Sequence, residues 1–201
     1  PASTEYLQAA QRICAERGAL LIIDEVQTGF GRTGRMFAYQ HFGITPDLLC
    51  CAKSLAGGLP MGAVLIGENV KNLTPGTHGS TFGGNPLACA IARAALKVLV
   101  EEKMVENSAS IGEYFLEGLK SIRSNIVKDV RGRGLMLAVE LDPAAGGARQ
   151  YCYALKDAGL LAKDTHVDTI RLAPPLVITR DQVNWALEKI EAVLAKAPVG
   201  H

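Results

Sequence analysis

Three charged residues stand where apolar segments end, and their positions suit catalysis. Asp24 and Glu25 follow the apolar run at 20–23, and Lys53 follows the apolar run at 48–52. A carboxylate after a strand holds Mg²⁺ in some nucleotide hydrolases. A lysine delivered from a strand end can instead act as a nucleophile toward a carbonyl group. Other features of the sequence separate these two chemistries.

The two phosphate-binding interpretations lack features that they require. A hydrolase of this kind needs a G-x-x-x-x-G-K-[ST] loop, which does not occur in the sequence. Gly29, Gly31 and Gly34 have the G-x-G-x-x-G spacing of a dinucleotide-binding turn, but that turn should follow its strand directly. Asp47 also follows Gly34 too closely to be the acid expected about 20 residues later. We therefore interpret the glycines as loop formers that allow positive φ.

A lysine and a strand-end carboxylate are the pair that pyridoxal phosphate requires. Lys53 lies between an apolar run and the small residues at 54–58, so we expect its amine to be buried. Burial favours the neutral amine that forms an imine. Asp24 could keep the ring nitrogen protonated, so that the ring accepts the electrons of a carbanion. The interval between them leaves room for a loop, a helix and a strand, so both can reach one edge of a parallel sheet.

Apolar periodicity supplies the elements that position these residues. Continuous apolar runs predict buried strands, typical of a parallel sheet covered on both faces, at 20–23, 48–51 and 61–66. Helical spacing predicts helices over 3–17, 87–103, 104–123, 148–158 and 179–196. Shorter strand candidates lie at 126–130, 135–141, 160–163 and 169–172. We expect an α/β fold, with an α/β domain over 1–103 and a compact α+β domain over 104–201.

Composition and charge favour a soluble protein with a small-molecule partner. The 201 residues are 48% hydrophobic and carry a net charge of +1, so no strong field attracts nucleic acid or a membrane surface. Five cysteines without C-x-x-C spacing predict reduced thiols and a cytoplasmic location. No metal-ligand cluster, signal peptide or membrane span of about 20 apolar residues is evident.

Several spaced blocks resemble the class III pyridoxal-phosphate aminotransferases. These blocks are DEVQTG at 24–29 with GRTG at 31–34, Pro46-Asp47, KSLAGG at 53–58 and TFGGNP at 81–86. Within the class, three stretches are most similar to the ornithine aminotransferases, at 78–90, 130–135 and 169–176. The resemblance covers essentially the whole chain but only the C-terminal half of such enzymes. It implies fold type I: part of the mostly parallel-sheet large domain over 1–103, and the small α+β domain over 104–201.

The resemblance implies a cofactor role for five residues. The lysine matching Lys53 carries pyridoxal 5'-phosphate as an imine and later moves the substrate proton. The aspartate matching Asp24 pairs with the ring nitrogen, and the glutamine matching Gln27 lies near the phenolic oxygen. The stretch matching Ser80 and Thr81 reaches the cofactor phosphate of the neighbouring subunit, which implies a homodimer.

The resemblance also implies a substrate site and a reaction. The arginine matching Arg171 receives the α-carboxylate of glutamate or the keto acid, a bidentate contact that suits a planar guanidinium. The implied reaction moves the δ-amino group of ornithine to 2-oxoglutarate, giving glutamate semialdehyde and glutamate. Acetylornithine or another ω-amino acid stays open as the donor. The chain could belong to a longer enzyme, pair with a separate N-terminal half, or serve only as an assembly domain.

Structural roles stay open for the same residues. Asp24 could be a turn residue, Gln27 an ordinary loop amide, and Arg171 one member of a surface ion pair. Ser80 and Thr81 could simply shape the turn before a helix. The Arg-Gly-Arg-Gly stretch at 131–134 could be an anion site or a tight connection between two strands.

Overall fold

The computed structural model describes residues 2–71 and 73–195. The chain divides into two units, Pro1–Val105 and Glu106–His201. Both units combine helices with a sheet, so the predicted α/β class is confirmed. Among the described residues, no helix is long and apolar enough to cross a membrane.

The first unit contains a three-stranded sheet in the order β1-β2-β3. Its strands are β1 (Ile22–Asp24), β2 (Leu48–Cys51) and β3 (Ala63–Ile66). β1 and β2 are parallel, whereas β3 runs antiparallel to β2. The parallel character predicted for 61–66 is therefore wrong. The connection from β2 to β3 holds only a short 3-10 helix (Lys53–Ala56), and a parallel return needs a crossover of a dozen or more residues.

The faces of this sheet are also more open than the apolar runs predicted. Ile22 is 57% exposed, Val64 52% and Leu65 50%. Only Leu49 and Cys51 of β2, the central strand, are buried. The expectation of strands covered on both faces is therefore wrong for this chain. An apolar run shows that a strand can pack against other apolar residues, but it does not show whether such residues cover the strand.

The first unit also has two α-helices, α1 (Thr4–Glu16), which precedes the three strands in the sequence, and α2 (Pro86–Glu101), which follows them. Ser3 begins α1, since its hydroxyl accepts a hydrogen bond from the Tyr6 N–H. Asn85 begins α2 in the same way through the Ala88 N–H at 2.8 Å, and proline occupies the first helical position as expected. α2 packs against the 3-10 helix that starts at Lys53.

Asp47 fastens the amino-terminal ends of β1 and β2. Its Oδ2 accepts the Leu21 N–H at 2.7 Å, and its Oδ1 accepts the side-chain amide of Asn69 at 2.9 Å. The hydrogen bond from Leu21, followed by that from Asn69, holds the pKa of the Asp47 carboxyl below its ordinary value. The ionised carboxylate is therefore the form that the folded chain favours.

We predict that Asp47→Asn reduces the acid sensitivity of the first unit. A carboxyl whose pKa is lower in the folded state stabilises the fold above its unfolded pKa, about 3.9 for Asp, and this stabilisation is lost as pH falls through the folded value. Urea unfolding of the parent chain and the variant should differ most near pH 7, and the difference should shrink toward acid. A difference that stays constant across this range would contradict the assignment.

The second unit is an antiparallel sheet with helices. Its strands follow the order β4-β5-β7-β6 and are β4 (Val127–Arg133), β5 (Met136–Leu141), β6 (Lys163–Thr165) and β7 (Thr169–Leu172). The helices are α3 (Met104–Ser121), which begins just before the division, α4 (Ala148–Asp157) and α5 (Arg180–Leu194). Thr179 and Gln182 form a capping box at the start of α5. Buried apolar residues of the sheet and helices form one core, which includes Phe115, Leu119, Leu137, Leu155, Ile170 and Ile190.

The Arg-Gly-Arg-Gly stretch forms the end of β4 and, with Gly134, the start of the tight connection to β5. Gly134 has φ +52°, and a Cβ on Gly112 of α3 would lie 2.2 Å from its backbone. The guanidinium of Arg131 contacts Asp129 at 2.7 Å and Glu140 at 2.6 Å. The glycines therefore serve close packing, and Arg131 is neutralised by acids, so the structure favours the strand connection over an anion site.

Candidate functional site

Asp24 and Lys53 lie at the same edge of the first sheet. Asp24 ends β1 and pairs with Cys50 of the parallel strand β2. The N–H of Glu25 donates to the C=O of Cys50 at 2.9 Å, which continues the pairing one residue further. Lys53 begins the 3-10 helix two residues after β2 ends. Because the strands are parallel, both side chains emerge at their carboxyl edge, as the sequence predicted.

The backbone of Lys53 adopts a conformation that is unusual for a lysine. Its φ is +49°, in the left-handed region, directly after the extended residue Ala52. This conformation costs roughly 1–2 kcal/mol for a residue with a Cβ, and such residues concentrate at functional sites. Gly57, at φ +59°, ends the same 3-10 helix without that cost. Within this 3-10 helix the strain therefore falls on Lys53, and elsewhere in the described residues Phe30, Lys103, His166 and Val167 also have positive φ.

The expected burial of Lys53 is wrong for this chain. Lys53 and Asp24 are both exposed. The apolar members of the 3-10 helix, Leu55 and Ala56, are buried instead, at 7% and 1% exposure. The apolar residues that follow Lys53 in the sequence therefore pack into the first unit, whereas the side chain of Lys53 is exposed to solvent.

The carboxylate of Asp24 takes part in a local turn. Its Oδ1 accepts the N–H of Val26 at 2.8 Å, which is the turn role left open by the sequence. A carboxylate can accept several hydrogen bonds, so this contact leaves capacity for a second partner. Gln27, three residues after Asp24, is exposed in the same loop. The strand end and its turn thus present an acid and an amide to solvent on the side of the sheet edge.

The burial of Glu25 is the feature that the sequence analysis did not predict. Glu25 is 1% exposed, although it neighbours the exposed Asp24. Its Oε1 accepts the N–H of Tyr39 at 2.8 Å, and its Oε2 accepts the hydroxyl of Thr28 in a short hydrogen bond. Adjacent residues of an extended strand point to opposite sides, so an outward Asp24 could have indicated an inward Glu25.

The glycine-rich loop after β1 is a series of turns. Gly31 and Gly34 have φ of +86° and +83°, as expected for loop formers. The next helical element is only the 3-10 helix Ala38–His41. A dinucleotide-binding turn instead opens directly into an α-helix that receives the pyrophosphate. The geometry therefore agrees with rejecting that interpretation.

Ser80 and Thr81 lie in an exposed turn shortly before α2. The N–H of Gly83 closes this turn on the C=O of Ser80 at 3.3 Å. A Cβ on Gly83 would lie 3.0 Å from the Cβ of Ser80, so the turn is compact. The turn-shaping role is visible in the chain, and the phosphate-binding role stays a prediction.

Arg171 lies in β7, an interior strand of the second sheet. It is half-buried on the face opposite the buried residues Ile170 and Leu172. Its directly paired neighbours are Ala138 on β5 and Lys163 on β6. Lys163 also contacts the carboxylate of Asp164, which lies 3.7 Å from its Nζ and partly offsets its charge. The substrate-binding role of Arg171 stays a prediction.

The remaining candidate ligands do not cluster. Within residues 2–71 and 73–195, no group of three His, Cys, Asp or Glu side chains could hold a metal ion. The five cysteines are all free. The chemistry available at the first sheet edge is thus that of an amine and a carboxylate.

Comparison with known sequences places these residues in a family. The family described as Aminotransferase class-III matches residues 1–194. Ornithine aminotransferase from Bordetella pertussis is 50% identical over 197 residues, which cover 97% of this chain and 48% of that protein. Ornithine aminotransferase from Bacillus subtilis is 50% identical over 194 residues, covering 96% and 48%. The chain spans about half the length of the curated relatives it matches.

Solved structures give the same result. Ornithine aminotransferase from Plasmodium yoelii superimposes with a TM-score of 0.88 at 43% identity, covering 96% of this chain and 52% of that one. Acetylornithine aminotransferase from Elizabethkingia anophelis gives a TM-score of 0.87 at 41% identity, covering 96% and 49%. The similarity therefore extends to enzymes named for two different amino donors.

Proposed function

We propose that the chain supplies the lysine-bearing half of an ornithine aminotransferase. The premise is that the chain belongs to the class III aminotransferases, whose family model matches residues 1–194. The enzyme would move the δ-amino group of ornithine to 2-oxoglutarate and yield glutamate semialdehyde and glutamate. The family is pyridoxal-phosphate-dependent. The curated relatives at about 50% identity carry the ornithine name, which supports this donor over others.

One observation carries the proposal: a lysine and an aspartate both lie at the carboxyl edge of the adjacent parallel strands β1 and β2. Asp24 pairs with Cys50 of β2, and Lys53 begins the 3-10 helix two residues after β2 ends. These two groups have the chemistry that pyridoxal phosphate needs, a nucleophile for its aldehyde and an acceptor for its ring N–H. The residues present therefore fit the cofactor.

Lys53 and Asp24 would each control the position of one proton. Pyridoxal phosphate supplies an aldehyde that binds amines and a ring that accepts the electrons of a carbanion. Lys53 would bind it through Nζ and, once the substrate amine has replaced that bond, Nζ would take and return the substrate proton. Asp24 would hold the proton on the ring nitrogen through its carboxylate. Gln27, on the same loop, would donate its amide N–H toward the phenolic oxygen.

We predict that Arg171→Ala weakens binding of 2-oxoglutarate more than binding of the cofactor. Loss of a charge-assisted hydrogen-bond pair costs about 1.5–3 kcal/mol, which corresponds to roughly a 10- to 150-fold rise in KM for the oxo acid. Steady-state kinetics and cofactor titration would measure the two effects in a chimera that joins this chain to the uncovered part of the Bacillus subtilis relative. Lys163→Ala removes the neighbouring cation on the same face and is the matched control, expected to change KM less. An unchanged KM in Arg171→Ala would make the arginine a structural residue.

The amino donor can be tested in a chimera. The uncovered part of the Bacillus subtilis relative would be joined to this chain, with the relative itself as the matched control. We expect the highest kcat/KM with ornithine in a panel that includes acetylornithine and other ω-amino acids. A strong preference for acetylornithine would overturn the ornithine assignment, and the similarity to the Elizabethkingia enzyme identifies that donor as the alternative.

The assembly of the enzyme is part of the proposal. Ser80 and Thr81 would contact the cofactor phosphate of a neighbouring subunit, so we propose a homodimer. Their exposure in the single chain leaves them available for such a contact. We also propose a cytoplasmic location, which the five free cysteines support. Co-expression of this chain with a separate N-terminal half would test whether the two parts assemble without a covalent link. A chain that dimerises but does not bind the cofactor, either in the chimera or when co-expressed with the separate half, would favour the non-catalytic assembly role.

A further inference from the structure

The buried Glu25 uses each of its polar groups to hold the loop that follows β1. Its N–H donates to the C=O of Cys50 at 2.9 Å, and its C=O accepts the N–H of Gly29 at 3.0 Å. Its two carboxylate oxygens accept the N–H of Tyr39, at 2.8 Å, and the hydroxyl of Thr28. One residue thus joins β2, the turn after β1 and the segment 14 positions further along.

Aromatic packing and a close backbone contact hold the same loop. A Cβ on Gly29 would lie 2.9 Å from the C=O oxygen of Glu25 and 3.3 Å from the ring of Phe37, so the turn tolerates only glycine there without a shift. Phe37 contacts Phe30 edge-on, with ring centroids 5.5 Å apart, and stacks with Tyr39 at 6.1 Å. The region is therefore tightly packed around the carboxylate.

Glu25 places a carboxyl group where an apolar residue would normally lie. Burial and then the negative charge of Glu25 raise the pKa of the Cys51 thiol, the last residue of β2. A buried carboxylate is unfavourable unless hydrogen bonds replace its lost hydration. The Tyr39 and Thr28 donors do so here. An acidic side chain that is buried directly beside Asp24, with both oxygens hydrogen-bonded to the following loop, has a role beyond filling space.

We propose that Glu25 is a positioning residue for Asp24. By fixing the chain on both sides of the turn, it holds the carboxylate of Asp24 toward the ring nitrogen of the cofactor. This inference rests on the proposed function, because it assumes that Asp24 meets the cofactor. Glu25 itself acts only through the loop, since its own carboxylate is directed inward and occupied by Thr28 and Tyr39.

The test is a double-mutant cycle in the cofactor-loaded chimera described above. The readout is the pH midpoint of the absorption band of the bound cofactor, which reports the group beside its ring nitrogen. We expect Glu25→Ala to move this midpoint in the same direction as Asp24→Asn, and the double variant to move it no further than Asp24→Asn alone. A misplaced group should also lower kcat by up to about a hundredfold.

Conservative and matched controls distinguish positioning from general stability. Glu25→Gln keeps an acceptor for the Tyr39 N–H and a partner for Thr28, so it should restore most of the parental midpoint. Thr28→Val removes one donor without changing side-chain shape, and serves if Glu25→Ala does not fold; we expect a smaller shift in the same direction. Asp47→Ala removes a carboxylate at the opposite end of the same strands, and should lower the melting temperature without moving the midpoint.

The outcomes separate this inference from the proposed function. If Asp24→Asn shifts the midpoint but Glu25→Ala and Thr28→Val leave it at the parental value, Glu25 is only structural and the inference is overturned. If the two single variants shift the midpoint additively, Glu25 acts independently of Asp24, which also overturns it. If Asp24→Asn itself leaves the midpoint unchanged, the proposed function fails first.

Discussion

Replacement of Lys53 by alanine is expected to abolish transamination in the chimera while leaving the fold intact. The substitution removes the amine that binds the cofactor and the group that moves the substrate proton. General acid–base catalysis alone contributes about 10²- to 10⁴-fold, and the covalent bond adds to this, so the rate should fall at least a thousandfold. A coupled assay for glutamate formation from ornithine and 2-oxoglutarate would measure it.

Lys53→Gly is the control that separates loss of activity from loss of the fold. Lys53 is exposed and has a left-handed backbone, so its side chain contributes little buried area. Lys53→Gly relieves the backbone strain and should raise the melting temperature slightly over Lys53→Ala, with both inactive. Activity near the parental level in either variant would contradict the role of Lys53.

Asp24→Asn should lower the rate about 10²- to 10³-fold. The amide has nearly the same shape and can still accept the Val26 N–H, so the turn is retained. What it lacks is the negative charge that keeps the ring nitrogen protonated, and loss of one such electrostatic contact typically costs about 10²- to 10³-fold in kcat. Single-turnover kinetics with ornithine would show the loss in the chemical step.

A neighbouring acid provides the comparison for Asp24→Asn. Asp47→Asn changes a carboxylate of the same sheet at its other end, and should alter acid stability without a comparable loss of rate. An Asp24→Asn variant with the parental rate would leave Asp24 as a turn residue alone. Equal losses in both variants would indicate a general effect on the sheet.

The position of the candidate site could be predicted because it follows from strand direction. The apolar runs before Asp24 and Lys53 form β1 and β2, and two parallel strands must end at the same edge. The capping signals of Asn85 and Thr179 likewise identify where helices begin, since they depend only on neighbouring residues. Local and periodic features of the sequence are therefore reliable guides here.

The features that could not be predicted depend on contacts between distant segments. The direction of β3 is set by its connection, and the exposure of Lys53 depends on which way Leu55 and Ala56 pack. The burial of Glu25 depends on donors at Thr28 and Tyr39 that are provided by the folded loop. Its sequence context, an acid beside another acid, does not distinguish a solvated charge from a buried one.

The central claim is that the amine of Lys53 binds the cofactor beside Asp24, and reductive labelling tests it most directly. The chimera would be mixed with pyridoxal phosphate, reduced with borohydride, digested and mapped by mass spectrometry, with Lys71 in the same unit as an internal comparison. We predict a pyridoxyl group on Lys53, and its loss in Lys53→Ala. A label spread over other lysines, with Lys53 unmodified, would contradict the account.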